Sequence, residues 1–417
     1  MTKISLDKTA AKESLSSLMV IFGILLLLLF RNTRLFTHPI PWGEDFAIFI
    51  YDEYNIGFPN TALMLYAGYI HLLPRIIAFL SMKFDISSAM IVMNWSVLLI
   101  KTMIFYLVFR SKEIKSNLIK FSLLTYLILL PLCDEIYNNV TGLQWWLIPL
   151  MALIIVKRDT DVFQLSFDIF VLILTGLTGI NSVLFAVPCI FLMVRVRTKD
   201  CFIKCVIVIL CAFIQYYCLN KSGRTATGDV IMYKGGVLEV INLFVNRIMY
   251  ATLFDISSTN YINVAFFLAY MLMLVLNLVY YRKQVAVQFI FLFALIYTAL
   301  IFFNFMKICQ NFSGIMSSLH GLNNEHYFAF LRICSFVLLV SSLDIVFRLL
   351  FSDKKYRRLM AYSCFLLFLF VVKNYPVYFL FNDQYYTDIA KFELAQTGEV
   401  VKFTYAPPGW ATELTKK

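Results

Sequence analysis

The chain has 417 residues, of which 61% are hydrophobic and 15% are charged, and its formal net charge is +11. Soluble domains are about 45–50% apolar and about 25% charged, so this composition excludes an ordinary water-soluble globular protein. The apolar residues fall in long runs, which is typical of membrane helices. Lys and Arg in cytoplasmic loops explain the positive charge better than nucleic-acid binding does, because no basic domain lies outside those loops.

Eleven apolar runs are predicted to form helices that cross the membrane. Each run must be helical, because lipid offers no partner for a free backbone N–H group. The predicted helices cover residues 14–30, 86–109, 118–133, 143–156, 165–179, 180–194, 202–219, 262–281, 285–305, 327–349 and 357–375. Spanning takes roughly 17–25 residues, so the short runs between 118 and 194 are either shielded by neighbours or include a re-entrant pair. The expected fold class is an all-α, polytopic transmembrane bundle of about 11 helices.

The distribution of Lys and Arg predicts the orientation of this bundle. These residues are dense in the short connecting segments on one side and sparse in the longer segments on the other. The dense segments are 1–13, 110–120, 157–164, 195–204, 282–283 and 348–358. Because positive residues accumulate on the cytoplasmic side, we expect the N-terminus inside and the C-terminus outside.

Residues 60–80 form a further apolar segment that we do not count as a crossing. His71, Pro74 and Arg75 lie in its middle, and a crossing here would place the basic segment 110–120 outside. We therefore predict an interfacial helix on the outer face. The domain boundaries that follow are a transmembrane domain at 1–375, with outer loops 31–85 and 220–261, and an outer C-terminal tail at 376–417.

The first outer loop contains two acidic pairs. Glu44 and Asp45 lie between Trp42 and Phe46, directly after two prolines. A carboxylate beside an apolar surface has a raised pKa and can accept a proton from a hydroxyl group. This predicts a general base at Glu44 or Asp45. The second pair, at 52–53, is better explained by simple solvation.

The segment YAGYIHLLPR combines aromatic, imidazole and guanidinium groups. If it is helical before Pro74, His71 and Arg75 are four residues apart and share a face. A cation and an imidazole at headgroup level suit a phosphate ligand. The alternative is that Arg75 reaches toward lipid headgroups and Tyr69 belongs to an interfacial aromatic belt.

Three further regions carry candidate residues. The turn DEIYNNVTGLQWW, at 134–146, combines carboxylates, amides and indoles that suit a sugar, or else it is a polar loop with interfacial tryptophans. Arg332 and Lys101 lie within predicted helices, where a cation indicates function, although Lys101 is interpreted as reaching the inner surface. The tail ends in APPGW, a rigid aromatic element suited to covering a cleft.

The motifs that the chain lacks narrow the function. The sequence contains no Walker A loop, no GxGxxG opening a helix, no HExxH and no GxSxG. This argues against a nucleotide-driven pump and against common hydrolases. Because the longest inner segment has about a dozen residues, a nucleotide-sugar domain has no place there. Any donor is expected to be lipid-borne, with the chemistry facing outward.

These features resemble the GT-C superfamily of polyprenyl-phosphate-sugar glycosyltransferases. The resemblance is carried by a first helix followed by the acidic pair in WGEDF, and by the segments YAGYIHLLPR, NNVTGLQWW, LTGINSVLFAVP, NEHYFAFLR and APPGW. In size and layout the chain is similar to phage-encoded glucosyltransferases that convert O-antigen serotype. It departs from the expected pattern at Gly179-Ile180-Asn181, where Gly-Pro is expected, and at His326, where Arg is expected.

The resemblance implies transfer of a hexose, most simply glucose, from undecaprenyl-phosphate-sugar to O-antigen lipopolysaccharide on the periplasmic side. The implied site residues are catalytic (Asp45 as base, Glu44 second), donor-phosphate-binding (Arg75, His71, Arg332) and sugar-binding (Tyr69, Gln144, Trp145). The implied location is a bacterial inner membrane. The implied partners are the lipid-linked sugar, the O-antigen, membrane lipids, and a donor synthase and flippase acting upstream. No nucleic acid, cofactor or metal site is expected, and a divalent metal is left open.

Three alternatives compete with glycosyl transfer. A flippase or transporter of lipid-linked sugar is expected to show internal repeats or mid-membrane charges in several helices. An O-antigen polymerase is expected to carry more arginine in its late outer loops than Arg224 and Arg247 supply. A structural subunit without chemistry is weakly disfavoured by the Glu44–Asp45 pair.

Overall fold

The computed structural model describes residues 2–114, 116–131, 133, 136–158, 161–222, 244–253, 262–308, 326–373, 375, 382–407 and 409–417. Within these ranges the chain is mostly helical, with two short antiparallel hairpins. Several residues considered above lie outside the described residues, namely Asp134 and Glu135 of the polar turn, Arg224 with most of the loop 220–261, and Pro408 of the tail.

Each of the eleven predicted segments coincides with a helix. These helices are α1 (Thr2–Arg31), α5 (Ile86–Arg110), α6 (Asn117–Ile128), α7 (Leu143–Val156), α8 (Val162–Gly176), α9 (Asn181–Val196), α10 (Lys199–Lys221), α11 (Ile262–Tyr280), α12 (Val285–Ile308), α13 (His326–Leu350) and α14 (Asp353–Val372). Among the described residues, three helices are long and apolar enough to cross a membrane: α5, α10 and the Phe328–Leu350 part of α13. The structure therefore shows a membrane-compatible helical architecture, and the number of crossings stays a prediction.

The segment after α1 is not a simple loop. It contains α2 (Arg34–Thr37), a π-helix (Asp45–Ile50), α3 (Tyr51–Asn55), the strands β1 (Leu65–Tyr66) and β2 (Tyr69–Ile70), and α4 (Leu72–Ser81). The prediction of a single helix over residues 60–80 was wrong. Ala67 and Gly68 both have positive φ angles, 56° and 89°, which turn the chain into a two-residue hairpin. The helix α4 starts only at Leu72, so that Pro74 falls in its first turn, where proline is tolerated.

The turn between α6 and α7 is inserted into the helical bundle. The two helices have 12 and 14 residues, so they are about 18 Å and 21 Å long, well short of a hydrocarbon core of about 30 Å. The connecting residues 136–140 are buried and lie beside the middle of α5, where Asn138 donates from its amide nitrogen to the Asn94 carbonyl. That the pair is re-entrant stays a prediction, and the described residues between 129 and 142 are called the re-entrant turn below.

Buried cations satisfy the free carbonyl groups of this re-entrant turn. Arg31 donates to the carbonyls of Ile128 and Leu130, and Arg332 donates to the carbonyl of Pro131. Lys101 donates to the Tyr137 carbonyl, and its ammonium lies 3.9 Å from the centre of the Tyr137 ring. The expectation that Lys101 extends to the inner surface is therefore wrong. Non-helical backbone in a bundle needs such partners when water is excluded.

The C-terminal tail folds against the first loop. It contains α15 (Gln384–Leu394) and a hairpin of β3 (Val400–Tyr405) and β4 (Trp410–Thr415). Phe46 of the π-helix lies against the rings of Tyr385, Phe403 and Tyr405, at centroid distances of 5.8, 5.0 and 5.3 Å. The tail is thus a structured cover over the segment that follows α1.

At the opposite end of the bundle, a buried ion cluster joins α7, α8 and α10. Asp168 accepts both Lys157 and Lys204, each at 2.9 Å, and Lys204 also donates to the carbonyls at the end of α7. The aspartate was not singled out in the sequence, because it is one acidic residue inside an apolar run. The Asp168 carboxylate, through Lys157 and Lys204, stabilises the end of α7 against α8 and α10.

Candidate functional site

The centre of the candidate site is Asp45, the first residue of the π-helix. Its side chain is 1% exposed. Its carboxylate accepts the backbone N–H of Val140 at 2.9 Å and, from Thr141, both the backbone N–H at 3.0 Å and the hydroxyl at 2.8 Å. These donors belong to the re-entrant turn just before α7. Asp45 therefore joins the first loop to that turn.

Burial and hydrogen bonding shift the pKa of Asp45 in opposite directions. Burial raises the pKa of its carboxyl to about 7, although the donors at Val140 and Thr141 lower it and the neighbouring Glu44 raises it slightly. A carboxylate with a pKa near 7 is half ionised at neutral pH, which suits proton exchange with a hydroxyl group. Buried carboxylates of this kind gather at functional sites.

Glu44 differs from Asp45 in its surroundings. Its side chain is half-buried, and it accepts the hydroxyl of Tyr66 at a distance of 3.3 Å. The Tyr405 phenol of the tail is close enough for the charge of Glu44 to raise its pKa. Of the two carboxylates, Asp45 is therefore fixed by three donors and Glu44 is the more accessible.

A second cluster forms around Arg75 in the first turns of α4. The Arg75 guanidinium is 1% exposed and donates to Asp52 at 2.6 Å, with its Cζ atom 5.0 Å from the centre of the Phe49 ring. The interpretation of Asp52 as merely solvated is therefore wrong. Its neighbour Glu53 accepts the backbone N–H of Phe58 and has a local structural role.

His71 occupies the N-cap position of α4, close to Arg75, and its side chain makes no capping hydrogen bond. Its ring centre lies 4.7 Å from that of Tyr69, 5.4 Å from that of Tyr66 and 5.8 Å from that of Phe49. Burial, with a smaller contribution from the charge of Arg75, lowers the pKa of His71 to about 3, and the nearby backbone of Tyr66 offsets part of this effect. The imidazole is therefore neutral at physiological pH.

Gln215 of α10 fixes the position of this hairpin. Its side-chain oxygen accepts the Ile70 N–H at 2.8 Å, and its amide nitrogen donates to the carbonyls of Ile70 and Gly179 at 3.0 Å each. Gly179 has a φ of 84° and returns a hydrogen bond to the Ile70 carbonyl. A lone glutamine within an apolar run is the sequence signal for such a buried anchor, and the sequence-based prediction missed it.

Of the three predicted sugar-binding residues, Tyr69 belongs to the His71 cluster, and Gln144 and Trp145 lie between the two clusters. Gln144 and Trp145 begin α7 and are both buried. Asn181, at the start of α9, donates to the Gln144 backbone carbonyl at 2.6 Å, and a β-carbon at Gly179 would lie 2.3 Å from the Gln144 side-chain oxygen. The start of α7 thus connects the turn that holds Asp45 to the segment that holds His71.

Trp410 of the tail covers the residue before the acidic pair. A β-carbon placed on Gly43 would lie 2.7 to 2.9 Å from three carbons of the Trp410 indole. Trp42 and Ala406 also pair as a parallel bridge. The Trp410 side chain remains 36% exposed. The Trp410 indole therefore lies against Gly43, next to Glu44, and its role in covering a cleft stays a prediction.

Substitution of Gly43 tests this contact. We expect Gly43→Ala to displace the Trp410 indole and to lower stability by roughly 1–3 kcal/mol, as overpacking does. Limited proteolysis should then cleave the tail faster than in the unmodified chain. Gly23→Ala is the matched control, because a β-carbon at Gly23 has nothing within 4 Å. Equal cleavage of the two variants would contradict the proposed cover.

Arg332 lies in a different group of side chains. It is fully buried near the start of α13, and its Nε donates to the carbonyl of Arg247 at 2.9 Å. Arg247 is itself buried in a π-helix (Val245–Met249). Arg75 contacts Asp52, His71 and Phe49, so of the three predicted phosphate ligands Arg75 and His71 belong to one cluster and Arg332 to another.

The structure thus brings together most of the predicted site residues. Asp45, Glu44 and the re-entrant turn form one cluster, which the start of α7 connects to the cluster of His71 and Arg75. Within the described ranges, no group of three His, Cys, Asp or Glu residues is placed to hold a metal ion, and metal dependence stays open. The roles assigned to these residues stay predictions.

No protein-family model matches the chain, and no curated protein matches it. The class that the geometry defines is a helical, membrane-compatible protein. It has a buried aspartate with a half-buried glutamate beside it, and a structured tail that packs against the segment carrying both.

Proposed function

We propose that the chain is a membrane glycosyltransferase. It transfers a hexose from a polyprenyl-phosphate-sugar to O-antigen lipopolysaccharide on the periplasmic face of a bacterial inner membrane. The resemblance to GT-C enzymes supplies the substrate classes. A helical, membrane-compatible chain in which the start of α7 connects the Asp45 cluster to the Arg75 cluster supports the proposal.

The single observation that carries the proposal is the surroundings of Asp45. Glycosyl transfer requires the acceptor oxygen to bond to the sugar C1 while the bond from C1 to the phosphate oxygen breaks. The hydroxyl proton must pass to a base. Asp45 has a pKa raised to about 7 and is held rigidly by three donors, and both properties suit a general base. Glu44, beside it, is the more accessible alternative.

The leaving phosphate needs positive charge, because negative charge develops on it as the bond to C1 breaks. Arg332 and Arg247 are two adjacent buried guanidinium groups. We assign the phosphate of the donor to Arg332, with Arg247 assisting. Arginine suits this role because its planar fork matches phosphate oxygens.

The experiment is a mass and linkage analysis of lipopolysaccharide O-chains. Three strains are compared, with the chain, without it and with Asp45→Asn, in a host whose polyprenyl-phosphate-glucose is verified by mass spectrometry. We expect one added hexose per repeat, absent in the variant strain. The linkage analysis also reports the anomeric configuration and the acceptor hydroxyl.

The other outcomes separate the rival functions. An unchanged repeat with altered chain length indicates a polymerase. An unchanged O-chain together with lipid-linked sugar that accumulates on one face of the membrane indicates a flippase. Either outcome contradicts glycosyl transfer.

A further inference from the structure

The cluster around Arg75 and His71 contains polar nitrogens that have no hydrogen-bond partner among the described residues. They are Nε and Nη2 of Arg75 and the ring nitrogens of His71, to which the Tyr66 backbone is near enough to raise the His71 pKa but lies outside hydrogen-bond geometry. Both side chains are buried, at 1% and 0% exposure. Leaving a buried polar group unsatisfied costs about 1–3 kcal/mol. Four such atoms in one cluster therefore indicate that a ligand completes it.

The charges of the cluster argue against a phosphate as this ligand. The positive charge of Arg75 is already balanced by the Asp52 carboxylate at 2.6 Å. His71 is neutral, so one ring nitrogen donates and the other presents a lone pair. The phosphodiester of a lipid-linked sugar offers only acceptor atoms, and it would meet both the lone pair of His71 and the negative charge of Asp52.

A hydroxyl group fits the same atoms better. It donates one hydrogen bond and accepts others, which matches the donor and acceptor of a neutral imidazole and the two free donors of Arg75. The rings of Phe49, Tyr66 and Tyr69 surround His71. Apolar ring faces beside charged, forked hydrogen-bonding groups suit the C–H and O–H groups of a sugar.

We infer that the Arg75–His71 cluster binds a neutral sugar through its hydroxyl groups, and that this sugar is the acceptor. The assignment to the acceptor rests on the proposed function and on Tyr66, which links the cluster to the acidic pair. The Tyr66 ring contacts the His71 ring, and the Tyr66 hydroxyl donates to Glu44. The proton that a base removes belongs to the acceptor. Entry requires the half-buried Tyr66 and Tyr69 rings to move away from His71.

The test is saturation-transfer NMR on the full chain in a detergent that carries no sugar headgroup. The probes are D-glucose, D-galactose, L-rhamnose and inorganic phosphate, the last as a competitor. We expect saturation transfer to at least one hexose, unaffected by phosphate. His71→Phe keeps the ring bulk but removes the hydrogen bonds, so binding should weaken at least about tenfold.

Two further variants keep the test decisive. His38→Phe makes the same change at an exposed histidine outside the cluster and should bind like the unmodified chain. Arg75→Lys preserves a cation beside Asp52 but removes Nε and Nη2, and it should weaken hexose binding even if His71→Phe fails to fold. Unaltered hexose binding in the folded cluster variants, competition by phosphate, or absence of any hexose signal would each overturn the inference.

Transfer activity is assayed on the same preparations, so that the two proposals fail separately. If the protein transfers the hexose but the cluster variants bind free hexose as well as the unmodified chain does, the sugar site alone is overturned. Hexose binding that the variants abolish, in a chain that transfers nothing to the O-antigen, overturns the proposed function alone.

Discussion

Asp45→Asn is expected to lower the rate of glycosyl transfer by a factor of about 10²–10⁴, the usual contribution of a general base. The amide keeps the size of the side chain and one acceptor oxygen, which can receive both Thr141 donors, but its NH2 group cannot accept the Val140 N–H. What it loses is the ability to take a proton. Initial rates on purified, detergent-solubilised protein measure the effect, with equal Tm values as the check on folding.

Glu44→Gln must be measured beside it, because the two carboxylates are neighbours. If Glu44 is the base, Glu44→Gln abolishes transfer and Asp45→Asn only reduces it. Full activity in both variants contradicts a catalytic role for the pair.

The pH dependence of the transfer rate identifies the base independently of the activity lost in these variants. A base must be ionised to accept a proton, so activity that depends on Asp45 rises as the pH rises through about 7. Thr141→Val removes one hydroxyl donor to the Asp45 carboxylate. Because that donor stabilises the charged form, its loss raises the pKa of Asp45 and moves the midpoint of the activity profile to higher pH. A midpoint that does not move excludes Asp45 as the titrating group.

The helices were predictable because their signal is local. A run of apolar residues needs no knowledge of its neighbours, and each predicted helix coincides with an observed one. The hairpin at 65–70 was missed because its turn is Ala67-Gly68 rather than the Asn-Gly or Asp-Gly that usually marks a tight hairpin. The apolar character of residues 60–80 was interpreted as one helix, although the strands there are only two residues long.

The site was predictable only in part, for a physical reason. Glu44 and Asp45 stand out because carboxylates between aromatic rings are unusual. The partners of Asp45 do not stand out in the sequence. Val140 and Thr141 both donate backbone N–H groups to Asp45, with one further bond from the Thr141 hydroxyl, and they lie 95 and 96 residues further along the chain. Lys101 shows the same limit. Whether a cation in a helix reaches the membrane surface or a buried carbonyl depends on where a distant turn is inserted.

Arg31 shows how strongly such distant partners hold the bundle together. Its guanidinium donates to three backbone carbonyls, those of Ile128, Leu130 and Tyr375, at 2.5, 2.9 and 2.9 Å. It also lies 5.0 Å from the centre of the Tyr137 ring. One side chain at the end of α1 therefore supports both the re-entrant turn and the segment that follows α14.

Arg31→Met is expected to destabilise the protein by about 3 kcal/mol or more, because three carbonyls lose their donor where water is scarce. A Tm decrease on the order of 5 °C follows in detergent. Arg34→Met is the matched control, since Arg34 pairs with Asp383 while their side chains are 46% and 70% exposed. An exposed pair contributes about 0–1 kcal/mol, so this variant should melt close to the unmodified chain. If the two variants melt alike, Arg31 does not support the turn, and the position of the Asp45 donors needs another cause.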